Sequence, residues 1–399
     1  MDSKNKKTKV LASLIWKLME RLGAQGVSFI VQIILGRLLM PEDFGAIAIV
    51  TVFITLSNVF VQSGFNTALI QKKDADDKDF SSVFYLSTFI ATMLYVLLFF
   101  TSPYIADYYS SPQLTQVLRV LAIILFFGAF NSIQNAYVAR NMMFKKLFFS
   151  STGSVIFSGI VGVIAAYLGL GVWALVLQQI TYNLSVSVIL WFTVKWRPRL
   201  LFSLSKVKVL FSFGWKLLAS SLLNTLYMDI RTLIIGRIYN SSMLGFYNRG
   251  VQFPKLIVTN MDGAIQSVML PALSDEQDNK KRVKEMVRRA IVTSSFLVFP
   301  MMVGLAVVAE PMIKIVLTDK WLPAAPFLQI FCASYALIPI HTANLQAINA
   351  LGRSDVFLKL EIIKKVIGIL ILAISINFGI YAMAWGMVLS GAISSFINA

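Results

Sequence analysis

One cysteine, one histidine and nineteen acids in 399 residues leave little material for several common chemistries. The single Cys332 excludes an internal disulfide, and the single His341 lacks a second imidazole for a histidine-based metal site, so it is read as a helix-packing residue. No Gly-rich phosphate loop and no metalloprotease motif occurs, so ATP-driven work would need a separate subunit. The alternating ten-residue segments of a β-barrel are missing as well. Long loops are scarce. The longest one expected outside, about 310–325, carries Glu310 and Asp319, and these form no recognisable catalytic pair with each other or with Asp107. The acidic stretch "KKDADDKDF" (72–80) is interleaved with lysines and reads as a solvated loop. An enzyme is not expected.

Apolar length is what the chain has in abundance. It is 57% hydrophobic and only 14% charged, with a mean hydropathy of +0.74, which is too apolar for a water-soluble globule. A membrane-spanning helix needs about 20 mostly apolar residues. Twelve such runs are expected, at 11–38, 44–70, 81–102, 114–138, 147–168, 171–194, 211–238, 244–270, 290–309, 326–350, 357–376 and 380–397. The chain thus reads as an all-α polytopic membrane protein. "MDSKNKKTKV" resembles a signal-peptide start, but the following run is too long and polar-striped and lacks a small-residue cleavage site, so a retained first helix is expected.

The net charge of +17 raises nucleic acid as a partner until the basic residues are placed on this topology. With a cytoplasmic N-terminus, 25 of the 36 lysines and arginines fall in inside segments, and three, Arg237, Lys314 and Lys320, fall outside. The positive-inside rule then sets both ends in the cytoplasm. Most of the basic excess is topology plus attraction to anionic lipid headgroups, with no nucleic-acid partner implied.

The chain also repeats itself. Trp16-Lys17-Leu18 returns as Trp215-Lys216-Leu217, "IILGRLL" (33–39) as "LIIGRIY" (233–239), and Gly45 as Gly245. "NAYVARNMMFKKL" (135–147) matches "NALGRSDVFLKL" (349–360), and "GVWALV" (171–176) matches "GIYAMA" (379–384). Matches in the same order argue for a duplicated six-helix unit. Six is even, so the copies run parallel, an arrangement typical of secondary transporters. The expected division is an N-lobe at 1–194, a basic cytoplasmic linker at 195–210 with an interfacial turn, and a C-lobe at 211–399.

Polar residues form stripes inside these apolar runs. Lys17, Arg21, Gln25, Ser28 and Gln32 share one face of the first helix, and Lys216, Ser220, Asn224, Tyr227 and Arg231 share one face of the seventh. The second helix adds Thr55, Gln62 and Asn66, and the eighth adds Asn248, Gln252, Lys255, Thr259, Asp262 and Gln266. A charge at the bilayer centre costs about 2.5–3.5 kcal/mol on insertion scales, so these stripes are expected to line one polar cavity. Lys17, Arg21, Arg37, Arg119, Lys216, Arg231, Arg249 and Lys255 outnumber Glu20, Asp229 and Asp262, which predicts a preference for an anion. Glu20 beside Arg21 and Lys17, and Asp229 near Arg231, neutralise part of the excess. Arg37 and Arg237 sit at outer helix ends, where an arginine reaches headgroups. Gly250 with Pro254, then Pro300 and Pro339, are expected to interrupt the eighth, ninth and tenth helices.

With "GRLLMPEDFG" (36–45), "PALSDEQDNKKRVKEMVRRA" (271–290) and "NALGRSD" (349–355) at their places after the first, eighth and tenth helices, the sequence resembles the polysaccharide-transport flippases. The closer likeness is to the Wzx-like exporters of lipid-linked oligosaccharide, in the superfamily that includes multidrug and toxin extrusion (MATE) proteins and lipid II flippases. That resemblance implies a V-shaped MATE/MurJ-like transporter fold of about twelve helices in a bacterial cytoplasmic membrane. It implies alternating access that carries an undecaprenyl-pyrophosphate-linked glycan outward, with glycan polymerase and export machinery as partners. Cavity cations would hold the pyrophosphate, a role that falls here on Lys17, Arg21, Lys216, Arg231 and Lys255. The glycan would meet Gln25, Gln32, Gln62, Asn66, Asn224, Asn248, Gln252 and Gln266. Glu20, Asp229 and Asp262 are the candidate acids for coupling to H+ or Na+, and no cofactor is expected. The alternative is a cation-coupled multidrug antiporter of the same fold, which would want unpaired carboxylates. Relatives often carry two further helices. This chain stops in "LSGAISSFINA" without a basic flank, which points to truncation or to a chain lacking them.

Overall fold

The computed structural model describes residues 3–398, with side chains from residue 15 onward apart from 18 and 354. Among these residues there are sixteen α-helices, two short 3-10 turns and no strand. The helices are α1 (Ser3–Leu38), α2 (Pro41–Gln62), α3 (Phe65–Gln71), α4 (Asp77–Tyr108), α5 (Gln113–Leu121), α6 (Ile124–Arg140), α7 (Phe144–Tyr167), α8 (Val172–Thr193) and α9 (Leu204–Ile238). They continue as α10 (Ser241–Asp275), α11 (Lys280–Val307), α12 (Ala309–Val316), α13 (Ala325–Ala336), α14 (Ile338–Ala350), α15 (Ser354–Ser375) and α16 (Ile380–Asn398). Packing divides the chain into two compact units, Met1–Leu244 and Gly245–Ala399.

Eleven spans among the described residues are long and apolar enough to cross a membrane. The twelfth expected segment, 357–376, is present as α15. Lys359, Glu361, Lys364 and Lys365 lie inside it, so it lacks the long charge-poor stretch that each of the eleven others has. Large apolar side chains face outward, with Phe192 80% exposed and Phe296 76% exposed. In a water-soluble protein such a surface would be a liability; against lipid it costs nothing.

Three expected helices are broken. The run 44–70 divides at Ser63 and Gly64, both at positive φ. A Cβ on Gly64 would lie 2.5 Å from the Gly214 carbonyl oxygen of α9, so glycine serves both the backbone angle and the close approach. The run 114–138 divides between α5 and α6, and 326–350 divides between α13 and α14, just before Pro339. The expected interruptions at Pro254 and Pro300 are not there: both prolines lie inside continuous helices. Gly250 serves packing, because a Cβ there would come 2.6 Å from the Phe327 Cβ.

One core of the first unit joins α3, α4, α6, α8 and α9 through Phe65, Leu69, Phe80, Ile133, Leu190 and Leu210, with Trp196 between α8 and α9. In the second unit Met269 and Leu273 of α10 pack with Val283 of α11 and with Ala343 and Ala350 of α14. Several loops are shorter than expected. The basic run 280–289 forms the first turns of α11, leaving only 276–279 between α10 and α11.

Candidate functional site

On α1 the polar stripe survives as a face, and part of it is internally paired. Lys17 Nζ is 2.6 Å from Glu20 Oε2, as the i,i+3 spacing allows. Ser151 of α7, the helix along which α1 packs, donates to the other Glu20 oxygen at 3.4 Å. Arg21 is exposed and has no ion pair among the described residues, while Gln25 and Gln32 are half-buried. Lys17 is partly drawn aside, with its ammonium 5.8 Å from the Phe144 ring centroid.

On α9, Lys216 and Asn224 are exposed, Asp229 is half-buried and Arg231 is buried. The Arg231 guanidinium lies 5.7 Å from the Tyr227 ring centroid, one turn back on the same face. Its Nε has no hydrogen-bond partner among the described residues. α9 packs against α2, α3 and α4. At the C-terminal end of α9 the exposed Arg237 guanidinium lies 4.7 Å from the Tyr108 ring centroid, and Arg37 is exposed.

The stretch 72–80 is not simply a solvated loop. Asp76 and Asp79 cap α4 reciprocally: Asp79 N–H donates to Asp76 Oδ1 at 2.8 Å, and Asp76 N–H donates to Asp79 Oδ2 at 3.1 Å. Asp79 is fully buried and bonds Lys72 at 2.7 Å. Lys206, in the first turn of α9, reaches Asp76 at 2.5 Å and Asp79 at 3.6 Å. The hydrogen bond from Lys206, with help from the Asp79 N–H, pulls the Asp76 carboxyl down to about 2. Arg199 pairs with Asp77 at 3.1 Å, and the N–H groups of Arg199 and Ser203 donate to Ser81 and Ser82. The basic stretch before α9 is stapled to the start of α4.

Gln62 and Asn66 come together in a cavity of about 330 Å3 inside the first unit. Asn58 of α2 and, from neighbouring helices, Asn131, Ser132, Asn135, Tyr182 and Asn183 complete it. Ser132 donates to Asn66 Oδ1 and Ser187 to Asn131 Oδ1, each at 2.8 Å. The reading of the sequence missed this floor. The signal was there in the four-residue spacing of Asn131 and Asn135 and of Asn58, Gln62 and Asn66.

In the second unit Lys255 is exposed with no ion pair among the described residues, and Asn248 is half-buried. Gln252 accepts from Arg249 at 2.5 Å, and the buried Arg249 guanidinium sits 4.9 Å from the Trp321 ring centroid. Gln266 donates to Asp262 Oδ2 at 2.8 Å, so Asp262 has a carboxamide partner on its own helix. Lys364, expected at the cytoplasmic edge, is instead buried two to three turns into α15 and paired with Glu361. His341 Nδ1 lies 2.6 Å from Asn398 Nδ2. No group of three or more His, Cys, Asp or Glu side chains among the described residues is placed to hold a metal ion.

Comparison with known proteins gives this arrangement its context. The family described as "Polysaccharide biosynthesis protein" matches residues 34–326. The teichuronic acid biosynthesis protein TuaB of Bacillus subtilis is 28% identical over 306 residues, 75% of this chain, and the chain spans 62% of TuaB's length. The succinoglycan biosynthesis transport protein ExoT of Rhizobium meliloti is 25% identical over 91% of this chain and 73% of its own. The lipopolysaccharide biosynthesis protein WzxC of Escherichia coli is 24% identical over 89% and 73%. Among solved structures, the lipid II flippase MurJ in an inward closed conformation superposes with a TM-score of 0.76 at 14% identity, covering 96% of this chain and 86% of MurJ. An inward-facing MATE family multidrug resistance transporter gives 0.69 at 15% identity, covering 96% of both chains. The fold is therefore the helical transporter fold of MurJ and MATE proteins, and the match over most of its length shows that this chain belongs to the polysaccharide biosynthesis protein family.

Proposed function

We propose that the chain is a carrier, not an enzyme, and that it moves undecaprenyl-pyrophosphate-linked oligosaccharide across the bacterial cytoplasmic membrane by alternating access. The observation that carries this reading is the set of cations on membrane helices without acidic partners. Arg21, Lys216 and Lys255 are exposed and have no ion pair among the described residues. A pyrophosphate supplies the charge they lack, and guanidinium and ammonium groups both suit phosphate oxygens. Membership of a polysaccharide biosynthesis family, with relatives named for teichuronic acid, succinoglycan and lipopolysaccharide, supports a glycan cargo.

In this reading Lys17, Arg21, Lys216, Arg231 and Lys255 hold the pyrophosphate. Gln25, Gln32, Asn224, Asn248, Gln252 and Gln266 hydrogen-bond the glycan, and the polyprenyl tail stays in lipid. The six-helix repeats, 1–194 and 211–399 joined by 195–210, rock about the site, with the N-terminus in the cytoplasm. Asp262, Glu20 and Asp229 are the groups through which H+ or Na+ would couple, and a glycan polymerase and export machinery are the proposed downstream partners.

Neutralising Arg21 and Arg231 together, as Arg21→Gln with Arg231→Gln, should abolish glycan export while membrane insertion is unchanged. Surface polysaccharide at the parental level in that strain would overturn the assignment. The second reading, a cation-coupled multidrug antiporter, is favoured by the likeness to MATE structures. It predicts efflux of organic cations and no dependence on Arg21.

A further inference from the structure

The cavity of the first unit differs in chemistry from the cationic stripes. None of its lining side chains is charged. Asn58 and Gln62 of α2, Asn66 of α3, Asn131 and Asn135 of α6 and Asn183 of α8 contribute carboxamides to one space of about 330 Å3. That volume is at the low end of small-molecule sites, roughly 300–1,000 Å3.

Helix adhesion accounts for the floor only. Asn131 is held by Ser187, Asn66 by Ser132, and Asn183 donates its amide to the Gln179 carbonyl at 2.9 Å on its own helix. Gln62 and Asn135 stand at the exposed rim and take no part in that web. Asn58 Oδ1 is buried with no hydrogen-bond partner among the described residues. The same atom lies where a Cβ on Gly128 would be only 2.4 Å away, so glycine at 128 is what lets Asn58 lie against α6 in the cavity wall. A buried acceptor without a partner is costly unless something fills it.

Carboxamides both donate and accept, as sugar hydroxyls do, and a neutral lining gives neither phosphate nor an organic cation a charge to bind. Aligned at the 200-residue offset of the repeat, Gln62 corresponds to Asp262 and Thr55 to Lys255. The first copy is neutral where the second is charged. We propose that this cavity is a sugar subsite, which takes one hydroxyl-rich ring of the glycan through Asn58, Gln62 and Asn135 apart from the cations that hold the pyrophosphate. The proposal rests on the carrier reading above and adds where, and by which groups, the uncharged part of the cargo is recognised.

The test uses the whole chain in lipid nanodiscs and two probes, undecaprenyl pyrophosphate and the same lipid bearing one glucose or N-acetylglucosamine. The parental chain should bind a glycosylated probe at least tenfold more tightly than the bare one. Gln62→Leu with Asn135→Leu, both at the exposed rim, should remove roughly tenfold of that affinity, as expected for two lost hydrogen bonds, and leave the bare lipid and the melting temperature unchanged. Gln62→Asn with Asn135→Gln, which keep the carboxamides, should restore most of it. Equal binding of all probes by the parental chain, or equal weakening of all probes in the leucine variant, would overturn the subsite while leaving the carrier reading in place. Failure of the parental chain to bind any of these lipids would overturn the carrier reading, and the subsite with it.

Discussion

Pro103 has no N–H to give the Phe99 carbonyl four residues earlier, and Arg119 of α5 supplies one instead, with Nε 3.1 Å from that oxygen and 2.9 Å from Ser102 Oγ. Its guanidinium also lies 4.3 Å from the Phe99 ring centroid. Arg119 is thus a repair to α4, although its charge alone placed it among the intramembrane cations. Arg119→Leu should lower stability in detergent by about 1.5–3 kcal/mol, the range for a hydrogen bond to a charged group. Pro103→Ala, which returns the missing N–H, should recover part of that loss in the double variant. A full, additive loss measured by denaturation would refute the repair. The contrast with Lys17 and Glu20 explains what was legible at this scale. A pair three residues apart on one helix can be read from spacing, whereas the partner of Arg119 lies on another helix, and the burial of Lys364 depends on how α15 packs.

Among the elements, the helices themselves were legible and several of their breaks were not. Apolar runs near twenty residues located every span, because the bilayer imposes that length. The corner at Ser63 and Gly64 was hidden, since it depends on Gly214 of α9, 150 residues away. Close backbone approach also governs the start of α2, where a Cβ on Gly45 would fall 1.8 Å from the Ser241 carbonyl oxygen. Gly45→Ala should therefore cost at least the 1–3 kcal/mol typical of overpacking, because backbone cannot step aside as a side chain would. Thermal unfolding in detergent would show it. The anchor between α4 and α9 makes a prediction about pH. The Asp76 carboxyl is lowered from 3.8 to about 2, so its contribution is fully present above the unfolded value and is lost as pH falls from about 4 toward 2. Protection from hydrogen exchange across 195–206, taken relative to the intrinsic rate at each pH, should fall over that interval, and Lys206→Met should lower it already at pH 7. Protection that stays constant from pH 6 to pH 2 would remove the anchor.

For the whole molecule, the duplicated Gly-Arg phrases supplied a ruler that aligned the polar stripes of α1 and α9, and charge placement supplied an orientation. Single-cysteine labelling can check the latter, because Cys332 is the only native thiol. In a Cys332→Ser background, Lys73→Cys should label only from the cytoplasmic side and Lys314→Cys only from outside; the reverse pattern would invert the topology. The neutral cavity was less legible, because its residues come from four helices and only three of them, Thr55, Gln62 and Asn66, lay on a stripe that repeats. The central claim is that cations on membrane helices with no ion pair among the described residues bind a lipid pyrophosphate. The most direct measurement is competition binding on the purified whole chain between undecaprenyl pyrophosphate and a lipophilic organic cation, repeated with Arg21, Lys216 and Lys255 changed to glutamine. Binding of the pyrophosphate lipid that weakens at least tenfold in the triple variant, with no displacement by the cation, is the expected result. Binding of the cation alone, or pyrophosphate binding indifferent to all three substitutions, would contradict it.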